Sequence, residues 1–148
     1  MGYLVCFLAS GAFTGFAPIA SGTVGSLLAV VIYLLVFPQD TVWVLVLLAV
    51  SLPASVWLAD RAEIAFAKTD SSYIVVDEIV GQWLALVFLP RTAFFVVASF
   101  LLFRAFDIWK PWRELERIPG GLGVVVDDLV AGVAANLCLQ AVRLVIGG

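Results

Sequence analysis

The sequence predicts an all-α protein, a polytopic membrane helical bundle of about 4–5 spans with a short N-terminal interfacial or re-entrant helix. Hydrophobic residues make up 64% of the 148-residue chain, and the mean hydropathy is +1.14. A soluble domain is roughly 45–50% apolar, so the surplus requires a non-aqueous solvent such as a bilayer. Charged residues are only 13% of the chain and are grouped in a few short stretches. The length fits one domain, residues 1–148.

The apolar segments, taken in order, predict the individual helices. Residues 1–16 are apolar but lack the basic residues that begin a signal peptide, which favours a short interfacial or half-inserted helix. A spanning helix takes roughly 20 residues, and several later segments are shorter, which implies tilting or local thinning of the bilayer. Pro53 interrupts one segment, and a membrane helix can accommodate the resulting kink. The candidate spans are residues 22–37, 41–59, 73–89, 92–106 and 123–146.

The basic residues predict the orientation of these spans. Two connections on one side of the membrane carry most of them, whereas the other side carries only Arg91 and Arg143. Because basic residues concentrate in cytoplasmic loops, the richer side is predicted to be cytoplasmic. The basic residues on that side are Arg61, Lys68, Arg104, Lys110, Arg113 and Arg117.

The composition also excludes several classes of function. The net charge is −3 and no basic run exists, so we expect no nucleic-acid partner. Histidine is absent, which removes every mechanism that uses imidazole as base, nucleophile or metal ligand. Cys6 and Cys138 lie far apart in apolar context and are interpreted as small buried hydrophobic residues.

Five acidic residues at the predicted cytoplasmic helix ends are the strongest functional signal. An ionised Asp inside a span costs roughly 2.5–3.5 kcal/mol, and gathered negative charges repel, so we expect a cation to neutralise them. Oxygen ligands in this number suit Mg²⁺, Mn²⁺ or Ca²⁺, and the absence of histidine argues against zinc. Taken singly, each acid could merely cap a helix or pair with an arginine. The five are Asp77, Glu78, Asp107, Asp127 and Asp128. The other acids are typical of solvated surfaces: Asp60, Glu63, Glu114 and Glu116.

Two further features lie beside these acids. Arg104 and Lys110 are each three residues from Asp107, so the three side chains share one helix face. A glycine-rich stretch, residues 10–26, precedes a helix and contains Ser21, Gly22 and Thr23. Backbone N–H groups at a helix start bind anions, although glycine in membrane segments also serves close helix packing. The stretch is not a Walker A loop, because no Gly-Lys-Ser/Thr follows it.

Two functional classes fit a membrane protein with such a cluster. One is a metal-dependent phosphoryl site, in which acids hold the cation and the two basic residues hold phosphate. The other is a divalent-cation or proton-coupled transporter, since carboxylates in membranes also mark ion paths. A transporter requires acids distributed through the membrane depth, whereas here they gather at one face. A small structural membrane subunit would leave the cluster unexplained.

Four ordered motifs cover the chain from about residue 10 to about residue 132, and together they resemble the phosphatidylglycerophosphatase A family. The first two are Ala17-Pro18-x-x-Ser21-Gly22-Thr23-x-Gly25-Ser26 and Ile74-Val75-Val76-Asp77-Glu78-x-x-Gly81. The third, which is the most distinctive, is Phe103-Arg104-x-x-Asp107-x-Trp109-Lys110-Pro111-Trp112. The fourth is Gly120-Gly121-x-Gly123-x-x-x-Asp127-Asp128-x-x-Ala131-Gly132.

The resemblance implies a Mg²⁺-dependent enzyme that removes the terminal phosphate of the lipid phosphatidylglycerophosphate and releases phosphatidylglycerol, the precursor of cardiolipin. It implies a multi-pass protein of a bacterial inner membrane with its site facing the cytoplasm. The implied metal-binding and catalytic residues are Asp77, Glu78, Asp107, Asp127 and Asp128. Arg104 and Lys110 are expected to bind the substrate phosphate, and Ser21, Gly22 and Thr23 to hold the phosphoryl or glycerol end.

Overall fold

A computed structural model describes residues 2–67, 71–112, 114–115 and 118–147. These residues form α-helices and a short 3₁₀ turn at Thr14–Phe16, with no β-strand among them, so the all-α prediction is confirmed. The helices within those ranges are α1 (Gly2–Ala9), α2 (Ser21–Leu35), α3 (Thr41–Phe66), α4 (Val76–Leu86), α5 (Ala93–Trp109) and α6 (Gly121–Ile146). Four residues named above lie outside the described ranges: Lys68, Arg113, Glu116 and Arg117.

Within the described ranges, α3 and α6 are the helices long and apolar enough to cross a membrane, at 26 residues each. By contrast, α4 has 11 residues and is about 16 Å long, too short to cross alone. The segment predicted as a span at 73–89 is shorter as a helix because a turn precedes it, in which Ile74 N donates to Ser71 O at 2.8 Å. The larger count of spans therefore stays a prediction.

Local signals explain where the helices begin and end. The Asp40 carboxylate accepts hydrogen bonds from Val42 N at 2.8 Å and Trp43 N at 3.3 Å, and so caps the start of α3. Helix α3 continues seven residues past its predicted end at residue 59 and stops where Ala67 adopts φ 51°. At the end of α5, Lys110 adopts φ 43°, which turns the chain out of the helix. Arg104 and Asp107 consequently lie in the last two turns of α5.

The short helix α4 lies at the centre of the bundle, in contact with α2, α3, α5 and α6. The end of α1 anchors its start, because Val75 N donates to Ala9 O at 2.9 Å. The two long helices run antiparallel, since the first residue of α6, Gly121, donates its N–H to Asp60 near the end of α3. Large apolar side chains such as Leu144 remain exposed on the outside, as lipid contact requires.

A close backbone contact joins α4 to α6 at Gly81 and Gly132. A Cβ atom added to Gly81 would lie 2.7 Å from the Asp128 carbonyl oxygen and 2.7 Å from the ring of Phe103. A Cβ atom on Gly132 would overlap the Gly81 carbonyl group. Small residues allow membrane helices to approach at this distance. The contact brings the first turn of α4 beside the second turn of α6.

We expect Gly132→Ala to lower the melting temperature, because the added methyl group must push α4 and α6 apart. Overpacking of this kind costs roughly 1–3 kcal/mol, which corresponds to a fall of several degrees. The measurement is thermal unfolding of the purified protein in detergent. Gly2→Ala is the matched control, since a Cβ atom there meets no atom within 4 Å. Equal melting temperatures for both variants would contradict the close helix contact.

Candidate active site

A cavity of about 430 Å³ opens at the end of the bundle where α3 ends and α6 begins. Glu63 of α3 and Gly123 of α6 mark this end, and α4 points its N-terminus into it. The acids predicted from the sequence all line this cavity, together with one predicted basic residue. They are Asp77, Glu78, Asp107, Asp127, Asp128 and Lys110.

Three of these acids come within ligand distance of one another. Asp77, Glu78 and Asp128 each offer a carboxylate oxygen, and the three oxygens lie within 4.8 Å of one another. Asp77 and Asp128 are only 8% and 3% exposed, and Glu78 is half-buried. The first two acids occupy the first turn of α4, where the positive helix end stabilises negative charge. Asp128 approaches from α6 through the glycine contact described above.

The electrostatics of this triad favour a bound cation. Two carboxylates 4.8 Å apart repel by about 3.5 kcal/mol at an effective dielectric constant of 20, and three such pairs occur. Within the described part of the chain, the buried Glu78 Oε2 atom has no hydrogen-bond partner. Oxygen-only ligands of this kind suit a hard divalent cation. The residues present therefore fit a divalent metal site.

Asp107 lies in the same cavity but pairs with a cation of its own helix. Its carboxylate forms an ion pair with the guanidinium of Arg104, three residues earlier on α5. Arg104 lies behind the cavity wall, against the first turn of α2. A Cβ atom on Gly22 would overlap the Glu78 carboxylate and lie 2.9 Å from a terminal nitrogen of Arg104. A larger residue at position 22 would therefore displace the Glu78 carboxylate, the Arg104 guanidinium or both from these positions.

Asp127 pairs with the other predicted basic residue. Lys110 Nζ lies 2.6 Å from Asp127 Oδ2, and Trp112 Nε1 donates to the Asp127 carbonyl oxygen at 3.3 Å. The left-handed backbone of Lys110 at the end of α5 returns its side chain to the cavity. Asp127 is 4% exposed, and its Oδ1 atom is buried without a hydrogen-bond partner among the described residues.

The glycine-rich stretch differs from its predicted form. Ser21, Gly22 and Thr23 form the first turn of α2 instead of a loop before it, because Ala20 already reverses the chain at φ 52°. Ser21 Oγ donates to the Ser72 carbonyl oxygen at 2.9 Å, which ties α2 to the segment before α4. These three residues support the wall beside Glu78 and are absent from the cavity lining.

Three residues near the site were not predicted from the sequence. Glu63, expected on a solvated face, is half-buried and lines the cavity. Ser72, which is exposed, lines the cavity as well. Gln82 is fully buried one helical turn after Glu78, and its Oε1 atom has no hydrogen-bond partner within the described ranges. A lone amide among apolar residues of α4 is a signal that could have identified Gln82. No pattern in the sequence marks Ser72.

The model of the phosphatidylglycerophosphatase A family matches residues 7–143. The chain belongs to this family. A Bacteroides thetaiotaomicron protein, provisionally named phosphatidylinositol-3-phosphatase, is 39% identical over 98% of this chain and 97% of its own length. The phosphatidylglycerophosphatase A of Escherichia coli is 39% identical over 85% of this chain and 76% of its own length. That of Haemophilus influenzae is 29% identical over 92% and 86%. No solved structure matches the chain significantly.

The ion pair between Lys110 and Asp127 can be tested by measurements of stability. Lys110→Met leaves a buried carboxylate without its ammonium partner, so we expect a clear loss of stability. Adding Asp127→Asn should recover part of that loss. The coupling energy should be roughly 1–3 kcal/mol, measured from the unfolding of both single variants and the double variant in detergent.

The matched control combines Lys110→Met with Asp40→Asn, which removes a carboxylate at the start of α3, far from the cavity. We expect the two losses in this control to add within roughly 0.5 kcal/mol. Strict additivity between positions 110 and 127 would contradict the ion pair.

Proposed function

We propose that this protein hydrolyses the terminal phosphate monoester of phosphatidylglycerophosphate and releases phosphatidylglycerol and inorganic phosphate. The observation that carries the proposal is the triad of Asp77, Glu78 and Asp128, buried in a membrane-protein cavity beside two further acid–base pairs. Membership of the family and the names of two relatives support the choice of substrate. The whole chain, residues 1–148, acts as a single membrane-embedded lipid phosphatase domain in this proposal.

Asp77, Glu78 and Asp128 hold a divalent cation, for which we propose Mg²⁺, and Asp107 and Asp127 complete the acidic wall around it. When bound, such an ion polarises a phosphate oxygen and lowers the pKa of a bound water. Mg²⁺ suits the site because it binds few carboxylates and keeps other positions for water and phosphate. The residues of the chain would then bind the phosphate, exclude bulk water and move protons.

Lys110 and Arg104 supply the positive charge that a phosphate group needs. Lys110 lines the cavity and would contact phosphate oxygens directly, in exchange for part of its contact with Asp127. Arg104 forms an ion pair with Asp107 and lies beside Glu78, so it would act on the phosphate through these two carboxylates. The first turn of α2, with Ser21, Gly22 and Thr23, would support the cavity wall beside Glu78. Through that wall it would help to position the phosphoryl or glycerol end of the substrate.

Hydrolysis breaks the bond between phosphorus and the glycerol oxygen and forms a bond between phosphorus and an incoming oxygen. When water itself attacks the phosphorus, the proton that the water loses must finally reach the leaving glycerol oxygen. Asp127 is placed to carry it, because the residue lines the cavity and its Oδ1 atom has no hydrogen-bond partner among the described residues. The acyl chains would remain in the bilayer, so only the headgroup needs to enter.

We also propose a multi-pass protein of a bacterial inner membrane, with 4–5 spans as the sequence predicts and the cavity facing the cytoplasm. Arg61, Arg104 and Lys110 all lie toward the cavity end of their helices, whereas Arg91 and Arg143 lie at the opposite end. This distribution supports the orientation by the positive-inside rule.

The arrangement of polar residues favours hydrolysis over a cation or proton transporter. A transport path would require ionisable side chains between the two ends of the bundle. The buried polar side chains at that depth, among the described residues, include Gln82, Ser99 and Asn136, which are neutral. Asn136 is also occupied, since its Nδ2 atom donates to the carbonyl oxygens of Ala85 and Val87.

The test is phosphate release by the purified protein in detergent, with phosphatidylglycerophosphate as substrate. We expect release with Mg²⁺ and none with EDTA. Asp77→Asn and Asp128→Asn should each lower the rate by roughly 10²-fold or more, because each removes a ligand of the cation that would offset the negative charge of the transition state. Glu114→Gln is the matched control, an exposed acid outside the cavity, and should retain the full rate.

A second arm offers phosphatidylinositol 3-phosphate, the substrate named for the Bacteroides relative, because both lipids present a phosphate monoester on a headgroup. We expect the higher kcat/KM for phosphatidylglycerophosphate. Faster hydrolysis of the inositol lipid would replace the proposed substrate but keep the chemistry. No release from either lipid under any divalent metal would overturn the enzyme assignment.

A further inference from the structure

A second cavity, of about 450 Å³, lies at the opposite end of the bundle from the acidic cluster. Its position follows from the two long antiparallel helices. Thr41, at the start of α3, and Arg143, in the last turn of α6, line this second cavity. The acidic cavity instead opens where α3 ends and α6 begins. If α3 and α6 cross the bilayer, the two cavities open at opposite membrane faces.

Two arginines face this second cavity, and its lining contains no acidic residue. Arg91 donates to the carbonyl oxygens of Phe37 at 3.0 Å and Pro38 at 2.6 Å, and its guanidinium carbon lies 4.7 Å from the ring centre of Tyr33. In residues 2–67, 71–112, 114–115 and 118–147, no carboxylate forms an ion pair with Arg91 or Arg143. Neither guanidinium group therefore has an ion-pair partner in the described part of the chain, and the nearest acidic residue in sequence to the lining, Asp40 between Gln39 and Thr41, is not itself part of it.

Arg143 holds the other wall of this cavity. It donates to the carbonyl oxygen of Phe88 at 2.8 Å, and Phe88 has φ 61°, an uncommon conformation for a bulky side chain. The carbonyl contacts fix both guanidinium groups in place while leaving further N–H donors of each available. Such fixed donors lose little side-chain entropy when they bind an anion.

A purely structural role for Arg91 and Arg143, in which each fixes a nearby loop, would explain their hydrogen bonds to carbonyl oxygens. It would not explain why both arginines lie at the same cavity. Basic residues are scarce on this face of the protein, as the positive-inside rule requires, and the sequence places only Arg91 and Arg143 there. Both line one cavity. The exposed Trp43, near the start of α3, is typical of a helix end at the level of lipid headgroups.

We propose that this second cavity binds the phosphate group of an anionic phospholipid from the leaflet opposite to the acidic cluster. The two guanidinium groups would bind phosphate oxygens, which they match in geometry and charge. The acyl chains would lie along the exposed apolar surface beside the cavity, where Phe88 and Leu35 are 49% and 80% exposed. The site would act as a structural lipid site, independent of the phosphatase reaction.

The test measures the melting temperature in detergent as lipid is added. Phosphatidylglycerol should raise it, and phosphatidylcholine with the same acyl chains should raise it much less. Gln39→Glu places a negative charge on the cavity lining without removing any contact, because Gln39 is exposed and makes no hydrogen bond in the described structure. It should raise the phosphatidylglycerol concentration for half the effect about fivefold, as expected for cancelling the attraction of about one basic residue.

Ala93→Glu is the matched control, since it adds the same charge at an exposed position of the same end but outside the cavity lining. It should leave the lipid response close to that of the unmodified protein. Any phosphatidylglycerol that enters the acidic cavity contributes equally to all these variants, so their difference reports on the second cavity.

Three results would overturn this assignment. The first is an equal response to phosphatidylcholine, and the second is an unchanged response in Gln39→Glu. The third is the same Gln39-dependent response to inorganic phosphate alone, which would make the ligand a free anion. None of them affects the phosphatase proposal, which depends on residues at the other end.

Discussion

The backbone contact between α4 and α6 is the constraint on which the acidic site depends. Gly81 and Gly132 allow the two helices to touch, and this contact brings Asp128 to the first turn of α4. Separately, neither helix offers three carboxylates in ligand geometry. Helix packing therefore holds the like charges together against their repulsion, and the bound cation that we propose would offset part of that repulsion.

The remaining charges around the cavity form pairs of opposite sign. Asp107 pairs with Arg104 and Asp127 with Lys110, so two acids are neutralised by the protein and three are left for a cation. This division distinguishes a site for metal and phosphate from a uniformly acidic surface. An entering phosphate would exchange contacts with Lys110, whose side chain is 30% exposed and lines the cavity, whereas Arg104 lies behind the cavity wall.

The sequence predicted the helical class and the group of residues at the site, but not how those residues divide their roles. The acidic pairs at 77–78 and 127–128 look equivalent in sequence. In the structure both members of the first pair join the triad, whereas Asp127 turns to Lys110 and only Asp128 joins. Adjacent side chains on a helix diverge, and the packing of α6 directs Asp128 toward α4 and Asp127 toward Lys110, whereas on α4 both adjacent acids still reach the triad. Sequence periodicity alone does not contain that rotation.

Helix lengths were less predictable for a related reason. Apolar residues of the segment 73–89 continue through the turn before α4 and the loop after it, so hydropathy does not reveal where the helix begins and ends. The role of Gly22 was also predicted differently from what the structure shows, because a glycine before a helix suggests an anion-binding loop. Its actual contacts, with Glu78 and Arg104, depend on the approach of α2 to two other helices.

We propose that carboxylates from α4 and α6 jointly hold a divalent cation. The most direct test of this shared site is a titration of the purified protein with Mn²⁺, followed by electron paramagnetic resonance of the free and bound ion. We expect saturable binding that weakens by roughly tenfold or more in both Glu78→Gln and Asp128→Asn, and stays unchanged in Glu114→Gln. Equal Mn²⁺ affinity in all four proteins would contradict a metal site shared between the two helices.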